Sequence, residues 1–165
     1  MTLFLVSNTL ILIDQYTKFL VNTQIPLYYS IKVIDDFFNL THVRNPGVAF
    51  GLFADQDSEY KVLVFILIAT VAILAILILY HQTPDDKKMV RTGLIMIFSG
   101  AIGNLIDRVV YKEVIDFVDI YFGNYHWPAF NFADACITIG VGFMILDLFQ
   151  GEPEQKDPPV LPSQP

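Results

Sequence analysis

Residues 62–80 read VLVFILIATVAILAILILY, 19 residues without a charge. As a helix rising 1.5 Å per residue, such a stretch covers the roughly 30 Å hydrocarbon core of a bilayer. The rest of the chain agrees with that reading. Of 165 residues, 54% are hydrophobic and only 16% charged, and the mean hydropathy is +0.51. That composition excludes disorder and an ordinary soluble domain. A net charge of −7 excludes a basic nucleic-acid footprint. The one cysteine, Cys136, excludes an internal disulfide and a cysteine-rich metal centre.

Working outward, three more apolar stretches appear. Residues 1–21 are uncharged through Ile13 and then carry Asp14 and Lys18. With neither a basic start nor a small-residue cleavage site, this stretch reads as a retained helix, not a removed signal. Residues 92–110 are uncharged as far as Asp107 and Arg108, and residues 130–149 carry Asp134 near the start and Asp147 near the end. The expected fold is mainly α, a polytopic membrane protein with four transmembrane helices at about 1–21, 62–80, 91–110 and 130–149. Residues 1–150 form one membrane domain in this reading. The Pro-rich tail 151–165 is expected to be disordered.

Lysine and arginine set the orientation. The short link 81–91 holds Lys87, Lys88 and Arg91, whereas Lys32, Arg44 and Lys61 are spread over a much longer first loop. The dense link is expected inside, with both termini and the tail cytoplasmic. In the first loop FFNLTHVRN (37–45) partly alternates, and Asn45-Pro46-Gly47 signals a turn. A small extracytoplasmic β-sheet resting on the outer membrane surface is therefore predicted. Tyr121, Tyr125 and Trp127 of the third loop suit the lipid–water interface.

A charge within a transmembrane helix costs roughly 2.5 to 3.5 kcal/mol on insertion scales and is a functional suspect. Asp14 and Lys18 fall at the outer end of the first helix, Asn104, Asp107 and Arg108 at the outer end of the third, and Asn131 and Asp134 at the outer start of the fourth. Three helices thus bring polar groups to one level. Asp14 and Lys18 are i, i+4 and can pair; Gly100, Asn104, Asp107 and Arg108 form one stripe. Ser99 and Gly103 are a small-xxx-small pair that lets helices approach. Each feature also has a plainer reading. Asp14–Lys18 can be a structural ion pair, Asp107–Arg108 a scaffold network, and Cys136 a small helix residue.

The chain has no HExxH zinc motif, no P-loop and no dinucleotide fingerprint, and His42, His81 and His126 are scattered. No cofactor and no metal are expected. What remains is the carboxylates Asp107, Asp116, Asp119 and Asp134. Two carboxylates sharing a site cannot easily both ionise, so one keeps a proton while the other acts as base, as in aspartic proteases. Elementary physics does not choose the pair. Asp134 is the strongest single candidate, lying in an apolar helix with no cation at i±3 or i±4. A small ion-path protein and a non-enzymatic assembly factor stay open as alternatives at this point. The first calls for polar residues through the full depth of the bilayer, the second for no activity at all.

HVRNPGVAFGLFAD, SGAIGNLIDR, VIDFVDIYF and WPAFNFADACITIG, in that order between four hydrophobic stretches, resemble the lipoprotein signal peptidase (signal peptidase II) family. The resemblance runs from Asp14 to about Gly140. It implies an intramembrane aspartic endopeptidase that cuts diacylglyceryl-modified prolipoproteins just before the lipidated lipobox cysteine. It implies Asp116 and Asp134 as the catalytic dyad. Asn45, Gly47, Asn104, Asp107, Arg108, Asn131, Asp14 and Lys18 are implied to shape the site and hold substrate. The chain departs from the family's usual NxGAAF in Val48 and Gly51. The expected location is the bacterial inner membrane with the active site near its extracytoplasmic face. The expected partners are prolipoprotein and membrane lipid, with no nucleic acid, and the chain is expected to be a monomer.

Overall fold

The computed structural model describes residues 2–47 and 58–150. Val48, Gly51 and the tail 151–165 lie outside the described residues. The order of elements is α1 (Thr2–Gln24), β1 (Ser30–Ile34), β2 (Phe38–Asn45), α2 (Ser58–Gln82), α3 (Lys88–Tyr111), β3 (Val114–Phe122), β4 (Tyr125–His126) and α4 (Phe132–Gln150). Among the described residues three helices are long and apolar enough to cross a membrane: Tyr60–Gln82 within α2, then α3 and α4. At 23 residues α1 is long enough too, but Asn8, Asp14, Gln15 and Lys18 lower its hydropathy.

The α3 helix is the hub of the bundle. Among the described residues α1, α2 and α4 all pack on it, while the α2 backbone comes close to neither α1 nor α4. Glycines permit the α3–α4 approach. A Cβ on Gly93 would stand 2.6 Å from the Gly140 carbonyl, and one on Gly140 would stand 2.6 Å from the Gly93 carbonyl. A Cβ on Gly100 would run into the Ala133 carbonyl, and one on Gly103 into Asp14 Oδ2. The stripe of small residues thus draws α1 and α4 against α3, which suits helices that gain no hydrophobic drive from lipid. The other faces carry exposed Leu, Ile, Val and Phe, as a lipid solvent requires. At the far end of the bundle Asp147 pairs with Lys87 at 3.6 Å.

The strands form one antiparallel sheet in the order β1-β2-β3-β4. The third loop contributes one of its inner strands. β3 is VIDFVDIYF, a run of β-branched and aromatic residues that favours a pleated, half-buried surface. Ile115 and Phe117 on one face of β3 pack on Val21 and Ile25 at the end of α1, seating the sheet on the bundle. The α3–β3 turn is tight. Lys112 takes a left-handed conformation (φ 64°), and its N–H bonds the Arg108 carbonyl. Beyond β4 the chain returns along β3 through a single bridge, Val118 to Phe130. That bridge sets Asn131 beside β3 just where α4 begins.

Candidate active site

Asp14 and Lys18 pair at 2.9 Å, as i, i+4 spacing allows. Lys18 Nζ also reaches Asp107 Oδ2 at 3.1 Å and donates to Asn104 Oδ1 at 3.0 Å. All four residues are buried. Charges removed from water are tolerable only when paired and fully hydrogen-bonded, and these are. Asp14 Oδ1 accepts the Ala133 N–H in the first turn of α4 at 2.9 Å. Asp107 Oδ2 accepts the Ile115 N–H of β3 at 3.1 Å. Gln15, which the sequence reading did not single out, donates Nε2 to Asp14 Oδ2, Asp107 Oδ1 and the Gly103 carbonyl, each at 3.1 Å. One cluster therefore ties α1, α3, β3 and α4 together.

Asn104 and Asn131 carry the connection onward. The Asn104 oxygen already faces Lys18, so its Nδ2 is the end left to donate, and it bonds Asp134 Oδ1 at 2.7 Å. Asn131 is the N-cap of α4, and Asp134 is the third residue of that helix. The Asp134 N–H donates to Asn131 Oδ1 at 3.0 Å, and the Asn131 N–H donates to Asp134 Oδ2 at 3.2 Å. This is a capping box with aspartate in the third position. The Asn131 amide then donates to Asn104 Oδ1 at 3.2 Å and to Asp116 Oδ1 at 2.7 Å. Asp116 Oδ2 accepts from Asn45 Nδ2 at 2.9 Å. Two asparagine amides thus link the Asp116 and Asp134 carboxyls.

Asp116 lies opposite Val43 in the β2–β3 ladder. Side chains two apart share a strand face, which is how Asn45 of β2 reaches it. Asn45 is fixed in turn because its Oδ1 accepts the Gly47 N–H at 2.9 Å. Gly47 sits at φ +79°, and a Cβ there would come within 2.6 Å of the Phe65 ring on α2. Only glycine meets both demands. Burial pushes the Asp116 carboxyl up from 3.8 to about 6; hydrogen bonds from Asn45 and Asn131 oppose the rise, and the Asp134 charge adds to it.

Arg108 does not pair with its neighbour Asp107. Adjacent helical residues point about 100° apart; Asp107 turns to Lys18, while Arg108 Nη1 donates to the Asn104 carbonyl at 3.1 Å and stands 5.5 Å over the Phe65 ring. Asp119 belongs elsewhere. It accepts from Asn39 at 2.8 Å, and its Oδ1 lies 2.7 Å from His126 Nδ1, beneath a stacked Tyr121–His126 pair. Among the described residues no three His, Cys, Asp or Glu side chains gather so as to hold a metal ion.

A buried carboxyl poised near neutrality, beside a second carboxyl on a helix N-terminus, is a pair suited to moving protons to and from water. The sequence profile described as Signal peptidase (SPase) II matches residues 6–150. A protein named lipoprotein signal peptidase from Desulforapulum autotrophicum is 51% identical over 139 residues, 84% of this chain and 86% of that protein. One of the same name from Geobacter sulfurreducens is 45% identical, covering 86% of this chain and 88% of its own. Two solved structures, described as bacterial membrane enzymes determined by the in meso method at 1.9 and 2.3 Å resolution, superpose with TM-scores of 0.81 at 32% and 31% identity. They cover 92% and 97% of this chain and 94% of their own.

Proposed function

The chain belongs to the signal peptidase II family, and from that premise we propose that Asp116 and Asp134 split the peptide bond through a shared water. It is an integral bacterial membrane protein and an aspartic peptidase that removes signal peptides from prolipoproteins. The substrate is a precursor whose lipobox cysteine already carries diacylglycerol, and the cut falls just before that cysteine. The observation that carries the assignment is the Asn131 side chain, which donates to Asp116 Oδ1 while its own oxygen accepts the Asp134 N–H.

In the proposed reaction Asp116 holds the shared proton, in line with a carboxyl raised to about 6. Asp134, at the N-terminus of α4 where backbone N–H groups converge, takes a proton from the water as its oxygen attacks the scissile carbonyl carbon. Asp116 gives its proton to the carbonyl oxygen, and a gem-diol results. Collapse breaks the C–N bond as the proton on Asp134 passes to the departing nitrogen and a diol proton returns to Asp116. The products are a signal peptide ending in a carboxyl and a lipidated cysteine with a free amine. Both protons belong to the coupled pair, not to either residue alone.

The same reading makes α1 a fourth membrane span. Its charged residues Asp14 and Lys18 are buried, with Ser7, while Phe4, Leu5, Leu12, Ile13, Phe19 and Leu20 are exposed. Both termini lie in the cytoplasm, the sheet and the acid pair lie at the extracytoplasmic surface, and the chain acts as a monomer in the inner membrane. A diacylated cysteine is anchored at that outer level. The test is Asp116→Asn and Asp134→Asn, each assayed on a diacylglyceryl-modified precursor. Processing is expected to fall by about 10²–10⁴-fold in each. Normal processing by either well-folded variant removes that residue from the mechanism.

A further inference from the structure

Two backbone amides connect the buried ion cluster to the acid pair. Asp14 Oδ1 accepts the N–H of Ala133, and Asp107 Oδ2 accepts the N–H of Ile115. Ala133 immediately precedes Asp134, and Ile115 immediately precedes Asp116. Each carboxylate of the cluster therefore holds the backbone one residue before a member of the pair. The two carboxylates stand on different helices, Asp14 on α1 and Asp107 on α3. Whatever fixes their separation also fixes how far the first turn of α4 lies from the start of β3.

Two side chains span the gap. Lys18 Nζ is 2.9 Å from Asp14 Oδ2 and 3.1 Å from Asp107 Oδ2. It supplies the charge, but an ammonium is a point charge with rotating donors on a flexible stem, so it holds distance better than direction. Gln15 supplies direction. Its Nε2 is 3.1 Å from Asp14 Oδ2 and 3.1 Å from Asp107 Oδ1, and the hydrogens of an amide lie in a fixed plane. The same nitrogen is 3.1 Å from the Gly103 carbonyl. Gly103 lies where α1 packs on α3, and a Cβ there would run into Asp14 Oδ2. One uncharged atom thus touches both carboxylates and the helix crossing that carries them. Removing it leaves the charge of the cluster as it was.

We propose that Gln15 is a positioning residue of the peptidase: by spanning Asp14 and Asp107 its amide sets the distance between Asp134 and Asp116 through the Ala133 and Ile115 amides. The proposal rests on the reading that Asp116 and Asp134 act on a shared water. That water must lie within hydrogen-bond reach of both carboxyls, and a misplacement of about 1 Å caused far from the chemistry can cost about 10²-fold in rate. Asn104 and Asn131 aim the two carboxyls; Gln15 sets where their backbones stand.

The full chain is assayed in detergent micelles on a diacylglyceryl-modified precursor, with kcat referred to folded enzyme. Gln15→Met keeps the length and deletes the donors. Gln15→Asn keeps an amide that is one methylene too short to span both carboxylates. Gln15 is only partly buried, so neither change empties a core position. Each is expected to lower kcat by about 10- to 100-fold with KM unchanged. Amide hydrogen exchange at Ala133 and Ile115 is expected to quicken while the middle of α3 keeps its parental protection. A purely structural role would lower the unfolding midpoint and leave kcat per folded molecule alone. Parental kcat in either folded variant overturns the proposal, and so does a loss of kcat with both amides as protected as in the parent. Failure of both variants to fold overturns it as well, because Gln15 is then a structural residue. Normal processing by Asp116→Asn or Asp134→Asn instead overturns the acid pair on which the proposal rests.

Discussion

Replacing Lys18 by methionine keeps most of the side chain's length and deletes one charge, which isolates the work of the ammonium. Nζ lies 2.9 Å from Asp14, 3.1 Å from Asp107 and 3.0 Å from the Asn104 oxygen, and the residue is 1% exposed. Without it two carboxylates share a dry site with the Gln15 amide and the Ala133 and Ile115 N–H groups as donors. Deleting one member of a buried ion pair costs about 3–5 kcal/mol. Asp14→Asn also deletes a charge, but it leaves Lys18 matched one to one with Asp107, and the amide oxygen can still accept from Ala133. Its cost is that of weakened hydrogen bonds, about 1–2 kcal/mol. Both variants are unfolded from the same micelle with a denaturing detergent and followed by circular dichroism. Lys18→Met is expected to unfold well before Asp14→Asn, and Asp14→Asn shortly before the parent. Equal losses, or a methionine variant as stable as the parent, would refute Lys18 as the counter-charge of two carboxylates. Processing gives a second readout. Lys18→Met frees the Asn104 amide from its strongest donor, so the variant is expected to cut slowly even where it is fully folded.

The pH dependence of the reaction follows from Asp116. With its carboxyl raised from 3.8 to about 6, the proton needed at the carbonyl oxygen is present below that value and lost above it. The kcat/KM on a lipidated precursor is expected to decline on the alkaline side with an apparent value near 6 for the pair, and a rate unchanged from about pH 5 to about pH 8 sinks the assignment. The same displacement is worth about 3 kcal/mol of stability, present below the unfolded value and lost as pH rises through the folded one. Asp116→Asn should abolish that loss, as unfolding midpoints at about pH 4 and about pH 7 can show. At the helix crossing, Gly100→Val forces a side chain onto the Ala133 carbonyl and to within 2.7 Å of Ile137 Cγ1, at an expected cost of about 1–3 kcal/mol. Gly142→Val, where nothing stands within 4 Å, should leave the unfolding midpoint near the parent's; equal effects would mean that α3 and α4 are not in such close contact.

Much of the site was legible because helices write their faces into the sequence at fixed spacing. Asp14 with Lys18, and the stripe from Gly100 to Asp107, needed only the 3.6-residue period. Long-range pairing left no such trace. Nothing local said that VIDFVDIYF would be an inner strand of the sheet, or that Asn45 would attend Asp116. Adjacency misleads at Asp107 and Arg108, because neighbours on a helix diverge. Gln15 was invisible for another reason: beside an aspartate it looks like one more polar residue, and its bonds run to residues 88 and 92 positions away. The choice of Asp116 over Asp119 came from resemblance. In space the two are separated by their partners, asparagines for one and a histidine with an asparagine for the other.

Asn131 caps the last helix and also grips Asp116. The capping turn follows α1, α3 and β3 in the chain, so during synthesis it emerges after the elements its residues bond to. Until that turn winds, Asp134 has no fixed address and Asp116 lacks one of its two amide donors. In the proposed mechanism, competence to cut therefore arrives only when the capping turn closes onto the rest of the fold.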